Sequence, residues 1–170
     1  MKYKILIFLI LIFAIGTHVP YKFNKQKAVE YATQHAAPRS RCMCAWYVMR
    51  SLQKGGCPLG IYPAYAYRDI LPKMGYQQID PKNVEIGDIC VMSQNSGSRF
   101  GHIAIYNGKQ WVSDYRQSNL YPNRAYREES TCCYYRIDDG WHTANIWVSP
   151  VKLIGYLKVF FTNIKRIKFL

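Results

Sequence analysis

Acidic residues are scarce in this chain: 10 aspartates and glutamates stand against 23 lysines and arginines, for a formal charge of +13. That shortage points to nucleic acid, an anionic membrane or an acidic polymer as the partner. Other absences narrow the choice. No nucleic-acid-binding motif and no arginine-rich recognition helix is present, so no nucleic-acid partner is expected. No apolar run reaches the roughly 20 residues of a membrane-spanning helix. Neither Cys42 and Cys44 nor Cys132 and Cys133 have the roughly two- to four-residue interval of common zinc sites, so no metal and no cofactor is expected. Nothing marks a second domain, and 170 residues, 49 % of them apolar, suffice for one compact domain with a real core.

What is present begins with a leader. Residues 1–16 combine Lys2 and Lys4, an apolar run over residues 5–13, and the small residues Ala14 and Gly16. This is the pattern of a signal peptide cleaved after Gly16, and it implies export to the periplasm, cell envelope or medium. Uncleaved, the same segment would anchor the protein to the membrane. No cysteine follows the run directly, so no lipid attachment is indicated. At the other end, residues 151–170 set Leu153, Leu157, Phe160, Phe161, Ile164 and Ile167 on one helical stripe, with Lys158, Lys165 and Arg166 elsewhere. Such a tail suits an anionic membrane surface, or else packs on its own domain.

The chemistry centres on residues 40–56. Ser40 is the expected N-cap of a short helix carrying Ala45, Val48, Met49 and Leu52 at helical spacing, stopped by Gly55 and Gly56. Cys44 then lies in the first turn, where the positive end of the helix dipole lowers a thiol pKa. Downstream, residues 100–114 read as a hairpin with His102 on one strand and Asp114 on the next. A cysteine at a helix start, a histidine entering an apolar strand and a polar residue on the neighbouring strand form the set that nucleophilic cysteine chemistry requires. His102 would take the thiol proton and later protonate the leaving amine, Asp114 would orient the imidazole, and the Cys44 amide would bind the oxyanion. The register is a condition. A two-residue Asn107-Gly108 turn would put Asp114 on the face opposite His102, whereas a three-residue loop ending at Lys109, or a bulge, would make the two direct partners. Ser113 or a backbone carbonyl is the fallback orienting group.

Four segments in order, CAWYV at 44–48, IGDICV at 86–91, GHIAIY at 101–106 and WVSDYRQ at 111–117, resemble the papain-like cysteine peptidoglycan hydrolases of the CHAP and NlpC type. The likeness is greatest to the branch of secreted amidase effectors used between competing bacteria, and it covers roughly residues 40–136. Cys42 stands where that family's run usually has glycine, and the Cys-Ala-x-x-Val alignment favours Cys44 as the nucleophile. The resemblance implies an α+β, papain-like single domain over residues 24–150, with N-terminal helices packed on an antiparallel sheet. It implies cleavage of an amide bond in the stem peptide of peptidoglycan by a Cys44-His102-Asp114 mechanism, and an immunity protein as a partner. A catalytically inactive wall-binding protein and an acyltransferase on the same scaffold are the alternatives.

The remaining positions have structural or substrate-facing readings. Asn24 caps a helix bearing Ala28, Val29, Ala32 and Ala36, with His35 at its end. Residues 64–74 form a short helix in which Tyr65 and Tyr67 line a substrate groove or pack on the nucleophile helix. Gly87 and Asp88 make a turn before a strand at residues 89–92, and residues 93–99 are a polar loop at the mouth of the site. Residues 120–127 are an aromatic, basic loop whose Arg124 and Arg127 contact an anionic ligand or stay solvated. Residues 131–136 read as a buried strand, and residues 138–142, with His142, as a turn leading to a strand at 145–148.

Overall fold

The computed structural model describes residues 18–145. Backbone proximity divides the chain into Val19–Ala144 and a second unit, Met1–His18 with Asn145–Leu170, nearly all of which lies outside the described residues. The leader and the basic tail therefore lie outside them too. No helix among the described residues is long and apolar enough to cross a membrane.

Asn24 caps α1 (Lys25–His35) as its side chain predicts, accepting from the Lys27 amide at 2.8 Å, and Ala28, Val29 and Ala32 are buried. His35 stacks on Tyr31 and bonds the Tyr31 carbonyl, a structural role. α2 (Cys44–Lys54) follows and buries Val48, Met49 and Leu52 against α1 and the sheet. Its N-cap is Met43, without a side-chain cap bond. Ser40 lies too far upstream to cap α2; its hydroxyl instead accepts from the Cys42 amide and turns toward Asp114. A 3-10 turn (Ala64–Ala66) leads into α3 (Tyr67–Lys73), which contains Pro72 and ends just after it.

The strands β2 (Gln77–Ile79), β3 (Ile89–Met92), β4 (His102–Tyr106), β5 (Trp111–Val112) and β6 (Cys132–Arg136) form one antiparallel sheet in the order β2-β6-β3-β4-β5. β3 is central and wholly buried, as its unbroken apolar run demands. β1 (His18–Phe23) pairs with β7 (Gly140–Asn145) in a separate two-stranded sheet. β7 includes His142, expected in a turn, which bonds the Asp138 carbonyl, while the strand expected at 145–148 lies outside the described residues but for Asn145. Asp88 serves its turn, accepting from the Glu85 amide, while Arg136 donates to both carboxylate oxygens. The basic loop is partly helical: Asn123 caps α4 (Arg124–Glu129) by accepting from the Tyr126 amide.

The β4–β5 register differs from both expectations. Tyr106 opposes Trp111 and Ile105 opposes Val112. The turn is centred on Gly108 and Lys109 because the Asn107 side chain accepts from the Lys109 and Gln110 amides and Gly108 takes φ +90. β5 then ends at Val112. The chain turns back through residues 113–115, with the Ser113 amide on the Tyr115 carbonyl and Val112 bridged to Arg116.

Candidate active site

α2 and the start of β4 converge at one end of the sheet. Gly101 makes the approach possible: at φ +68 it brings the chain so close that a Cβ would stand 2.4 Å from the Met92 carbonyl oxygen and 3.1 Å from Tyr65. His102 follows directly, paired with Met92 and almost wholly buried. Cys44 stands at the first position of α2, where the Ile103 amide of the same strand favours its thiolate. A cavity of about 480 Å³ joins them, lined also by Ser40, Cys42, Asp114, Asn123 and Tyr126.

Asp114 is fully buried at the turn after β5, where Ala37 lies alongside and donates its N–H to the Asp114 carbonyl. Its carboxylate gathers the chain just ahead of Cys44. Oδ2 accepts from the Arg41 amide at 2.5 Å, the Met43 amide at 3.3 Å and the Ser40 hydroxyl at 3.3 Å, and Oδ1 accepts from the Ser113 hydroxyl at 3.1 Å. The side chain at the imidazole is Gln117, whose amide nitrogen and oxygen lie 3.1 and 3.4 Å from His102 Nε2. Gln117 is itself buried. Accepting from Nε2–H through its oxygen at 3.4 Å, the glutamine leaves Nδ1 bare to act as a base; donating through its nitrogen at 3.1 Å, it puts the ring proton on Nδ1. Tyr126 adds a ring 5.6 Å from the imidazole and donates its hydroxyl to the Gly101 carbonyl.

Burial sets the protonation states. It pushes the Cys44 thiol up to about 11, outweighing the amides of Ile103, Ala45 and Cys44 that favour the thiolate, with the nearby Asp114 charge adding to the rise. Burial likewise brings His102 down to about 4, against the pull of Gln117 and Asp114 toward the charged form. The resting pair at neutral pH is thus thiol and neutral imidazole. The fall in thiol pKa expected of a helix start is not met: the Cys44 and Ala45 amides favour the thiolate, but desolvation outweighs them and the net shift is upward.

Cys42 is exposed at φ +58, the left-handed conformation that suits glycine. It lines the cavity without belonging to α2. Tyr67 is fully buried, its hydroxyl on the Gly60 carbonyl, so it packs behind the site instead of lining a groove. Tyr65 is partly exposed outside the cavity lining and ties its amide to the Phe100 carbonyl. Arg124 pairs with Glu128 on the solvent side of α4, and neither it nor Arg127 lines the cavity. Asn123 and Tyr126 from the same segment do. Gln117 and Tyr126 escaped the sequence reading, although Gln117 closes the WVSDYRQ segment. Among the described residues no group of three or more His, Cys, Asp or Glu side chains could hold a metal ion.

Two solved structures resemble this fold. Both are of Tae3–Tai3.

In the native type VI effector–immunity complex Tae3–Tai3 from Ralstonia pickettii, one chain superposes at a TM-score of 0.62 with 29 % identity, over 68 % of this chain and 100 % of that one. The selenomethionine form of the Tae3–Tai3 complex gives 0.56 and 28 %, over 69 % of this chain and 97 % of that one. No family profile and no curated protein matches the sequence. The likeness to the Tae3–Tai3 chains agrees with the α+β, papain-like architecture that the helices and antiparallel sheet display.

Proposed function

We propose that this protein is an exported effector amidase that cuts an amide bond in the stem peptide of peptidoglycan through Cys44. The observation that carries the reading is the meeting of Cys44 and His102 on one cavity, at the mouth of a helix start, in a fold similar to a type VI effector. His102 Nδ1 takes the thiol proton as Sγ attacks the carbonyl, so the ion pair forms during the reaction and not before it. The imidazolium then protonates the leaving amine, and water releases the acyl group. The first amides of α2, including that of Cys44, face the developing oxyanion. Gln117 holds the imidazole tautomer, and Asp114 fixes the loop that delivers Cys44 while its charge favours the imidazolium.

The complexes that the two neighbours form support an immunity protein as a partner for this chain. The basic composition suits an anionic wall polymer, and the leader suits export. The basic tail is proposed as a contact to an anionic membrane surface. Incubation with purified peptidoglycan beside Cys44→Ala tests the core of this reading: new stem-peptide ends from the parent alone are expected. Binding without cleavage by both would favour the inactive wall-binding alternative, and transfer of the acyl group to an added amine would favour the acyltransferase.

A further inference from the structure

A second groove, of about 460 Å³, meets the catalytic cavity at Cys42, Cys44 and Phe100. Its other walls include Met43, Trp46, Ile61, Tyr62 and Pro63, and none of its lining residues carries a carboxylate, ammonium, guanidinium or imidazole. Eight large hydrophobic side chains are exposed among the described residues. Five of them, Met43, Trp46, Ile61, Tyr62 and Phe100, at 39 to 58 %, line this one groove. Folding alone does not cluster exposed apolar groups in this way, whereas binding does. The aromatic walls are held from behind: Tyr62 packs edge-on against buried Tyr67, and Trp46 lies edge-on against Tyr47.

The chemistry of the pair assigns a direction. His102 lines the cavity and is absent from the groove. The leaving amine must receive its proton from His102, so the amine half of the substrate occupies the cavity. The acyl half, bonded to Cys44 Sγ in the intermediate, extends into the groove. We propose that the groove is an acyl-side subsite that selects an uncharged, apolar side chain on the residue whose carbonyl is attacked. This rests on the cysteine-hydrolase reading above. A charged group placed there would lose its hydration, and no lining residue offers an ion of opposite charge: the guanidinium groups of Arg50 and Arg99, 5.9 Å from the Trp46 ring and 4.8 Å from the Phe100 ring, stand outside the lining.

The test uses the full-length, reduced protein and the p-nitrophenyl esters of N-acetyl-leucine and N-acetyl-aspartate. In each reaction the Sγ–C bond forms, the ester C–O bond breaks, p-nitrophenolate leaves with the bonding electrons, and the thiol proton passes to His102. Nitrophenolate release gives the rate, and the intact mass with peptide mapping locates the adduct. The leucyl ester is expected to exceed the aspartyl ester in kcat/KM by about tenfold or more. Trp46→Ala and Ile61→Ser are each expected to cut that ratio by about threefold or more. Ile61 is exposed, so Ile61→Ser keeps the test decisive should Trp46→Ala fail to fold. Acylation of Cys44 with a ratio near one, or a ratio that neither variant moves, overturns the subsite while upholding the hydrolase reading. No adduct on Cys44 from either ester overturns both.

Discussion

Replacing Asp114 separates two roles that a buried carboxylate near a histidine can have. Its hydrogen bonds run to Ser40, Arg41, Met43 and Ser113, on the loop ahead of Cys44 and on its own turn, and Gln117 sits at the imidazole instead. Asp114→Ala leaves the Arg41 and Met43 amides without their acceptor. At about 1–3 kcal/mol for each buried donor left unsatisfied, and with solvent able to reach parts of this loop, a loss of about 3 kcal/mol is expected. Asp114→Asn keeps one acceptor oxygen for those amides and forfeits mainly the charge, for about 1 kcal/mol. Urea unfolding monitored by tryptophan fluorescence reads both, with wall digestion measured in parallel. Displacement of Cys44 in the alanine variant should cost about 100-fold in rate, and the asparagine variant should lose about tenfold or less. A carboxylate that directly holds the catalytic imidazole loses about 10⁴-fold on conversion to its amide. A loss of that size in Asp114→Asn with unchanged stability would refute the loop-anchoring role.

Other expectations follow from the same geometry. Gln117→Leu should lower kcat about tenfold with a smaller change in KM, because the imidazole loses its side-chain partner yet keeps its place on β4; steady-state kinetics on soluble wall fragments checks this. Buried neutral His102 should make the fold acid-sensitive. Its folded pKa of about 4 lies below the ordinary 6.5, so the unfolded chain binds more protons between those values, and stability is full above about 6.5 and falls by about 3 kcal/mol on acidification to about pH 4. His102→Gln should flatten that slope in denaturant titrations. Cys42→Gly should retain wall-degrading activity and raise stability by about 0.5 kcal/mol, since relief of the left-handed strain at φ +58 slightly exceeds the entropy that glycine adds to the unfolded chain. Thiolate absorbance at pH 7 should be the same in wild type and Cys44→Ser, because burial holds that thiol up at about 11; a Cys44-dependent thiolate signal at pH 7 would contradict the resting thiol.

The local features that sequence exposes well are those in which one residue dictates its own surroundings. Asn24 caps the amide three residues on, as an N-cap asparagine does, and marks where α1 starts. The apolar run at 89–92, entered through the Gly87 turn and left through a polar loop, reads as a strand and is one; its central place in the sheet comes from the structure. The positions of Cys44 and His102 were legible for the same reason, as one opens a helix and the other opens a strand. What stayed hidden depends on contacts distant in sequence. The turn after β5 is fixed by Ala37 lying against residues 114–116, so nothing within 111–117 alone reveals that Asp114 turns to the loop before Cys44 and Gln117 to the histidine. The Asn107 side chain shifted the hairpin by one residue through two amide bonds, a choice between turns of nearly equal local cost. Tyr67 and Tyr65 look alike in sequence, and only the packing against Gly60 and Tyr62 sends the first inward.

Whether Cys44 opens an amide bond in the cell wall is open to direct measurement. The reduced protein, beside Cys44→Ala and Cys42→Ala, would be incubated with purified peptidoglycan and the released fragments identified by mass spectrometry. New amine and carboxyl ends from the parent and from Cys42→Ala, with none from Cys44→Ala, are the predicted result. Fragments released equally by Cys44→Ala, or none released by the parent from any wall type, would contradict it.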